Sequence, residues 1–271
     1  MFHPYMWVLL IVALVLCSVG FYRFVWFMSV GYGLAIGGLG VAILVFAFTQ
    51  GQASIPVILA TLLLLVYGAR LSGYLLVREL KNASYRKTLD QAMKETTGSE
   101  KPVPIFVKVV MWLMMGVLYI MQTSPVFYRV ANAAADKGAV AAWIGVCIMA
   151  CGVCLEAVAD KQKSASKKVR PDMVAMDGLY KMCRCPNYFG EIVFWTGVFI
   201  SGITVLTGWQ WLVAILGYVL IVYIMFNGAK RLEKRQSKNY GDKKEYREYA
   251  DKTPILIPFL PIYHLIKEEK K

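Results

Sequence analysis

Histidine is nearly absent from this chain of 271 residues: His3 and His264 are the only two, and they stand near opposite ends. A zinc site takes three or four His, Cys or carboxylate ligands, and acid–base catalysis near neutral pH most often uses histidine. No metal site and no histidine-based mechanism is therefore expected. The six cysteines form no framework either. Cys147, Cys151 and Cys154 fall at i, i+4 and i+7 on one face of an apolar helix and read as small packing residues. Cys183 and Cys185 lie in a segment assigned below to the reducing side of a membrane, which excludes a structural disulfide. Charge is scarce as well, with 17% charged against 58% hydrophobic residues and a mean hydropathy of +0.53, too apolar for a soluble globule. Long linkers, low-complexity tracts and internal repeats are missing, so residues 1–271 read as a single domain.

What is present is a series of apolar runs near the roughly 20 residues that span a bilayer. They lie at Tyr5 to Gly20, Val25 to Thr49, Ile55 to Val77, Ile105 to Met121, Ala139 to Ala157, Tyr188 to Leu206 and Trp209 to Asn227. The expected fold is an all-α polytopic membrane protein with seven transmembrane helices. The first run has the length of a signal-peptide core, but no basic leader precedes it and Cys17-Ser18-Val19-Gly20 makes a poor cleavage site, so it reads as a retained helix.

A net charge of +13 raises the question of a nucleic-acid partner, and its distribution answers it. Six Lys/Arg lie between Arg78 and Lys101, seven between Lys161 and Arg184 and twelve between Lys230 and Lys271; with Arg23 they make 26 of the 30. In a seven-helix arrangement all four segments share one side, and the opposite loops hold only Arg129 and Lys137. The positive-inside rule then places the N-terminus outside and the C-terminus in the cytoplasm. Nucleic acid is not expected; anionic lipid and an anionic soluble ligand are.

The glycines of Gly31-Tyr32-Gly33 and Gly37-Gly38-Leu39-Gly40 lie inside an apolar span, where a dinucleotide fingerprint has neither its strand nor its helix N-terminus. Gly33 and Gly37, four apart, read as a close helix-packing surface. On the third helix Tyr67, Arg70, Tyr74 and Arg78 fall at offsets 0, 3, 7 and 11 and share one face. An arginine facing lipid at that depth costs several kcal/mol, so the stripe is expected to face the bundle interior or a wet cavity. Glu156, Asp160 and Lys163 close the fifth helix at i, i+4 and i+7, before a basic loop ending in Arg170. A third polar stripe follows the seventh helix, with Arg231 and Arg235, and continues to Tyr240, Tyr246 and Tyr249. Between them stands the densest polar and aromatic run, Gly178-Leu179-Tyr180-Lys181-Met182-Cys183-Arg184-Cys185-Pro186-Asn187-Tyr188-Phe189-Gly190-Glu191, where Arg184, Asn187 and Glu191 meet the start of an apolar helix. Their convergence on one membrane face fits one ligand with phosphates and polar rings.

Leu155 to Lys163, Gly178 to Glu191, Arg231 to Tyr249 and Thr253-Pro254-Ile255-Leu256-Ile257-Pro258-Phe259 together resemble the C-terminal half of the steroid 5-alpha-reductase superfamily, in its bacterial DUF1295-type branch. The resemblance runs in order over about 110 residues and is most specific at Pro-Asn-Tyr-Phe-Gly-Glu. It implies a seven-helix enzyme that reduces the carbon–carbon double bond of a 3-oxo-4-ene steroid with NADPH. It implies substrate-side helices in residues 1–130 and a cofactor-binding half in 139–271. By position Tyr67 resembles the tyrosine that hydrogen-bonds the substrate ketone. Tyr74 and Arg78 resemble cofactor contacts on the same helix. Glu156, Asp160, Lys163, Arg170, Tyr180, Arg184, Asn187, Glu191, Arg231, Arg235, Tyr240 and Tyr246 are the expected cofactor-binding set. Cys185 replaces the histidine usual before Pro-Asn-Tyr, and the partner carboxylate that animal enzymes place before the tyrosine helix is missing, with Gln50 or Gln52 as its substitute.

The chemistry suits this inventory. Hydride addition to an enone builds negative charge on the carbonyl oxygen, and a preorganised phenol lowers that barrier without a metal. The apolar steroid-like substrate is expected to enter from the bilayer and NADPH from the cytosol, with no obligate protein partner. The membrane is a bacterial inner membrane, or the endoplasmic reticulum in a eukaryote. The alternative is an S-adenosylmethionine-dependent membrane methyltransferase of the isoprenylcysteine carboxyl methyltransferase type, which has a similar Pro-x-Tyr-x-Gly core and basic C-terminal helix.

Overall fold

The computed structural model describes residues 3–81 and 103–266. They form eight α-helices: α1 (Tyr5–Cys17), α2 (Val30–Thr49), α3 (Ile55–Lys81), α4 (Ile105–Ala131), α5 (Ala139–Val169), α6 (Pro186–Gly202), α7 (Gln210–Tyr240) and α8 (Lys244–Lys252). Short 3-10 turns cover Ser18–Phe21, Phe24–Met28 and Gly178–Lys181. No strand occurs among the described residues.

Among the described residues five helical segments are long and apolar enough to cross a membrane: Phe24–Thr49, Ile55–Lys81, Ile105–Ala131, Ala139–Val169 and Gln210–Tyr240. This corrects the expected seven. The other two, α1 with 13 residues and α6 with 17, reach only about 20 and 25 Å at a rise of about 1.5 Å per residue, short of a hydrocarbon core of about 30 Å. The long helices are apolar on the outside. Only 28% of the apolar window of α7 is buried, and Leu212, Leu216, Val219 and Leu220 are exposed, an arrangement compatible with a multi-pass membrane protein in which lipid is the solvent.

The chain divides into two compact units. The first comprises Met1–Val146 and Val198–Gly217, so a stretch expected in the C-terminal half belongs with the N-terminal helices. Its tightest contact joins α2 to α3 through glycine, as the spacing of Gly33 and Gly37 predicts. A Cβ on Gly68 would meet the Gly33 carbonyl oxygen at 2.2 Å, and one on Gly40 would meet the Thr61 carbonyl at 2.7 Å. Helix α1 is tied on by the Tyr5 hydroxyl, which donates to the Ala42 carbonyl at 3.0 Å, and by the stacking of Tyr5 on Phe46. From α4, the Trp112 indole donates to the Leu14 carbonyl at 2.7 Å. Leu9, Phe27, Ile36, Leu39, Ile43 and Phe127 are fully buried.

Arg129 is not in a loop, as the charge count assumed, but in the last turn of α4 and 1% exposed. Its guanidinium donates to the carbonyls of Ser201, Ala134, Ala135 and Lys137 and to the Thr204 hydroxyl. A charge this deep persists only when every donor has an acceptor, and here backbone carbonyls supply them.

The second unit comprises Cys147–Gly197 and Tyr218–Lys271. Helices α5 and α6 meet at Gly152 and Gly190, where a Cβ on Gly152 would lie 2.5 Å from the Phe194 nitrogen and one on Gly190 would lie 2.8 Å from Glu156 Cγ. The glycine of Pro-Asn-Tyr-Phe-Gly-Glu is thus required by close helix packing. Helix α8 sets Tyr246 and Ala250 against Met173 and Val174 in the loop after α5.

Candidate functional site

In the second unit the loop ahead of α6 is stapled from several sides. Gly178 adopts a φ of +64°, which favours glycine, and lets Leu179 N–H donate to Gln162 Oε1 at 2.9 Å. The Tyr180 ring is buried; its hydroxyl donates to the Ala159 carbonyl at 3.3 Å, and its own carbonyl accepts from the Tyr249 hydroxyl at 2.7 Å. Arg184 N–H donates to the Pro254 carbonyl at 2.9 Å, which joins two of the segments that carry the resemblance. Cys185 accepts from Phe189 N–H at 3.0 Å and starts α6, with Pro186 at the first helical position. Burial pushes the Cys185 thiol up to about 12 and that of Cys183 up to about 11, and both are free thiols.

Arg184 is buried, and its Nη2 donates to Glu233 Oε1 at 2.8 Å and to the Tyr263 carbonyl. The Glu233 carboxylate also meets His264 Nδ1 at 2.9 Å and accepts Leu265 N–H at 2.8 Å and Ile266 N–H at 3.2 Å. His264 Nε2 lies 3.1 Å from Asp251. Arg184, expected on the cofactor, is therefore committed to a buried ion pair that fastens the C-terminal segment. Glu233 was missed because it stands in the charge run Lys230 to Arg235, which reads as a solvated helix end.

Other expected contacts are also taken up inside the protein. Arg170 makes a two-pronged pair with Glu245 at 2.8 and 2.7 Å, which raises the guanidinium and lowers the Glu245 carboxyl from their ordinary values. Tyr240 accepts from Lys167 Nζ at 2.9 Å, and the Tyr246 hydroxyl lies 3.4 Å from that of Ser237. Tyr180, Tyr240, Tyr246, Arg170 and Arg184 thus each have a partner within the protein.

A smaller set remains at the head of α6. Asn187 Oδ1 is buried with no hydrogen-bonding partner in the protein. Beside it the Tyr188 phenol feels the charges of Arg235, Glu191 and Arg231 and lies against Gly228 of α7. Arg231 and Arg235 are exposed, Glu156 and Glu191 are buried, and Asp160 and Lys163 are half-buried. Asn187 Oδ1 leaves an acceptor for a ligand, and the exposed Arg231 and Arg235, whose charges act on the neighbouring Tyr188, suit phosphate recognition.

In the first unit Tyr67 is completely buried, and its hydroxyl donates to that of Tyr32 at 3.0 Å. Tyr74 and Arg78 follow on α3, half-buried. Glu79 is buried and accepts from Arg23 and, at 2.8 Å, from the Trp26 indole. Gln50 is exposed at the end of α2, and Gln52 Oε1 accepts Ala135 N–H at 3.1 Å. Both lie ahead of Ile55, the first residue of α3, and Tyr67 is twelve residues further on, about 18 Å along the axis. The structure does not bring either glutamine to Tyr67. One residue here carried no sequence signal: Gln122, on α4 one turn beyond Tyr119, is 3% exposed, and neither polar atom of its amide has a hydrogen-bonding partner in the protein. Among the described residues no group of three or more His, Cys, Asp or Glu is placed to hold a metal ion.

A model of the family described as protein of unknown function (DUF1295) matches residues 24–253. No curated protein and no solved structure matches the chain.

Proposed function

The chain belongs to the DUF1295 family, which is associated with the steroid 5-alpha-reductase-like superfamily, and from that premise we propose that it is a membrane oxidoreductase using NADPH to reduce the carbon–carbon double bond of a 3-oxo-4-ene steroid or similar apolar enone. The observation that carries the reading is Asn187 Oδ1, a buried acceptor without a protein partner at the head of α6, next in the chain to Tyr188, on which the charges of the exposed Arg231 and Arg235 act. Leaving such an atom unmade costs about 1–3 kcal/mol, which a ligand bearing N–H or O–H donors beside phosphates recovers. NADPH carries both, in its carboxamide, ribose hydroxyls and phosphates. Asn187 would hold a donor group of that ligand, with Arg231, Arg235 and Lys163 on its anionic part. When bound, NADPH supplies the hydride.

The remaining work falls to the chain. Tyr67 is a phenol in an apolar interior, where a hydrogen bond to developing negative charge is stronger than in water. It would donate to the substrate carbonyl oxygen. Exposed apolar helix faces admit a lipid-soluble substrate. The 25 Lys/Arg of the segments 78–101, 161–184 and 230–271 favour a cytoplasmic side for those segments, with the N-terminus outside. That orientation belongs to a bacterial inner membrane or the endoplasmic reticulum.

Titration of the purified full chain with NADPH and, separately, with S-adenosylmethionine tests the reading. Saturable NADPH binding that Asn187→Ala weakens by about 1–3 kcal/mol is the expected result. Saturable S-adenosylmethionine binding without NADPH binding would favour the methyltransferase alternative. Tyr67→Phe should lower enone reduction about a hundredfold, the scale of one lost oxyanion donor, with NADPH affinity unchanged and Tyr74→Phe costing less. Near-normal turnover in the Tyr67 variant removes it from that role.

A further inference from the structure

The second half of α4 carries a polar stretch, Gln122-Thr123-Ser124, followed by Pro125. Most of its polar groups are satisfied within the helix. The Thr123 hydroxyl donates to the Tyr119 and Ile120 carbonyls at 3.0 and 3.3 Å. Pro125 has no N–H to offer the Met121 carbonyl four residues back, and the Ser124 hydroxyl donates there instead at 2.8 Å. Gln122 is the exception: its side chain is buried, and among the described residues neither Oε1 nor Nε2 has a hydrogen-bonding partner. It shares a face of α4 with Leu118, Pro125 and Arg129, and two close approaches flank it. A Cβ on Gly202 would lie 2.5 Å from Pro125 Cβ, and one on Gly217 would lie 2.8 Å from the Gln122 nitrogen. Arg129 is held by the acceptors described above. Gln122 stands nine residues before Ala131, the last of α4, about 14 Å along the axis, close to the middle of a hydrocarbon core of about 30 Å.

We propose that Gln122 is a specificity-determining residue whose amide receives a hydroxyl group of the apolar enone, which makes the substrate class a lipid-soluble enone oxygenated at a second position. A buried Oε1 needs a donor and Nε2 needs an acceptor. A second ketone or an ether can only accept, whereas a hydroxyl does both. Bulk water does not reach that depth of a bilayer, and Leu113, Met114 and Val117 are exposed apolar residues of the same helix, which favours a ligand that arrives through lipid. A methionine has the same length and would fill the position without leaving a polar group unmade. The ligand-free protein thus carries the cost of the amide for the sake of a bound state. This inference rests on the enone reading.

Two measurements on the full chain in detergent test the assignment. One is equilibrium binding of a 3-oxo-4-ene steroid bearing a hydroxyl on the ring farthest from the ketone, against the same steroid without it; the other is thermal unfolding of the ligand-free protein. The unaltered protein should bind the hydroxylated steroid about tenfold more tightly. Gln122→Met should bind both steroids alike, keep its NADPH affinity, and melt about 2–4 °C higher without ligand, because no buried amide is then left unmade. An amide with a structural role, bridged by a trapped water for example, gives the opposite: Gln122→Met melts lower or fails to fold. That result, equal affinities in the unaltered protein, or a preference that survives in Gln122→Met overturns the role of Gln122 and leaves enone reduction standing. Failure of the unaltered protein to bind or reduce either steroid overturns the enone reading and the role of Gln122 with it.

Discussion

Glu233→Ala is the most informative single change in the second unit. The carboxylate side chain is fully buried, and Arg184 opposite it is 2% exposed. Removing the acid leaves a buried guanidinium without its counter-charge and withdraws the acceptor of Leu265 and Ile266 N–H. Breaking a buried pair from one side costs about 3–5 kcal/mol, whereas the two half-buried amides regain water and add little. With about 2–4 °C lost per kcal/mol in a chain of this size, thermal unfolding in detergent should fall by roughly 6–20 °C. Limited proteolysis should cut first within residues 263–266, which Glu233 fastens. A double replacement, Arg184→Met with Glu233→Leu, should recover most of the loss, because it removes both charges together. A Glu233→Ala protein that melts within about 2 °C of the original and keeps that segment protected would refute the reasoning.

Gly68→Ala forces a methyl to within 2.2 Å of the Gly33 carbonyl and should destabilise by about 1–3 kcal/mol or more, read by thermal unfolding; an unchanged melting temperature would contradict the α2–α3 approach. A lipid-soluble maleimide should modify Cys147, Cys151 and Cys154, which are exposed, in the folded protein, whereas Cys17, Cys183 and Cys185 should label only after unfolding; mass spectrometry counts the adducts, and early modification of Cys185 would be inconsistent with its burial. The carboxyls of Glu245, beside Arg170, and Asp172, beside Lys243, lie below their ordinary values, so the contribution of these pairs is present at neutral pH and lost as pH falls through and below the usual carboxylate range near about 4. Hydrogen exchange around residues 170–173 and 243–245 should accelerate on acidification, and a flat profile would show that the pairs hold nothing.

For most of the long helices the start was legible in the sequence and the end was not, whereas α2 ends at the expected Thr49 and starts five residues after the expected Val25. Ile55, Ile105 and Ala139 open apolar runs and are the first residues of α3, α4 and α5. Helix α4 runs ten residues past the expected Met121, through Gln122-Thr123-Ser124-Pro125, where the Thr123 and Ser124 hydroxyls are satisfied by carbonyls of their own helix. Helices α5 and α7 likewise continue through their charged ends to Val169 and Tyr240, where hydropathy gives no signal. For the candidate site, the polar run ahead of α6 was visible because such residues are costly beside an apolar helix. The division of labour within it was not. Arg184 and Asn187 look alike as candidates, yet only the fold supplies Glu233 to Arg184 from 49 residues away and leaves the Asn187 amide oxygen without an acceptor's partner. Gln50 and Gln52 were expected near Tyr67 only as substitutes for a carboxylate that the resemblance implies, and twelve residues of α3, about 18 Å, separate the helix start beside them from Tyr67.

The buried guanidinium at the end of α4 sets an order on biogenesis. As the chain emerges from the ribosome, α4 ends at Ala131, seventy residues before Ser201 and seventy-three before Thr204, two of the partners of Arg129. Until then this cation has only the nearby carbonyls of Ala134, Ala135 and Lys137. A nascent chain halted before residue 201 therefore holds Arg129 without the Ser201 carbonyl and the Thr204 hydroxyl that its Nε and Nη2 use in the folded protein.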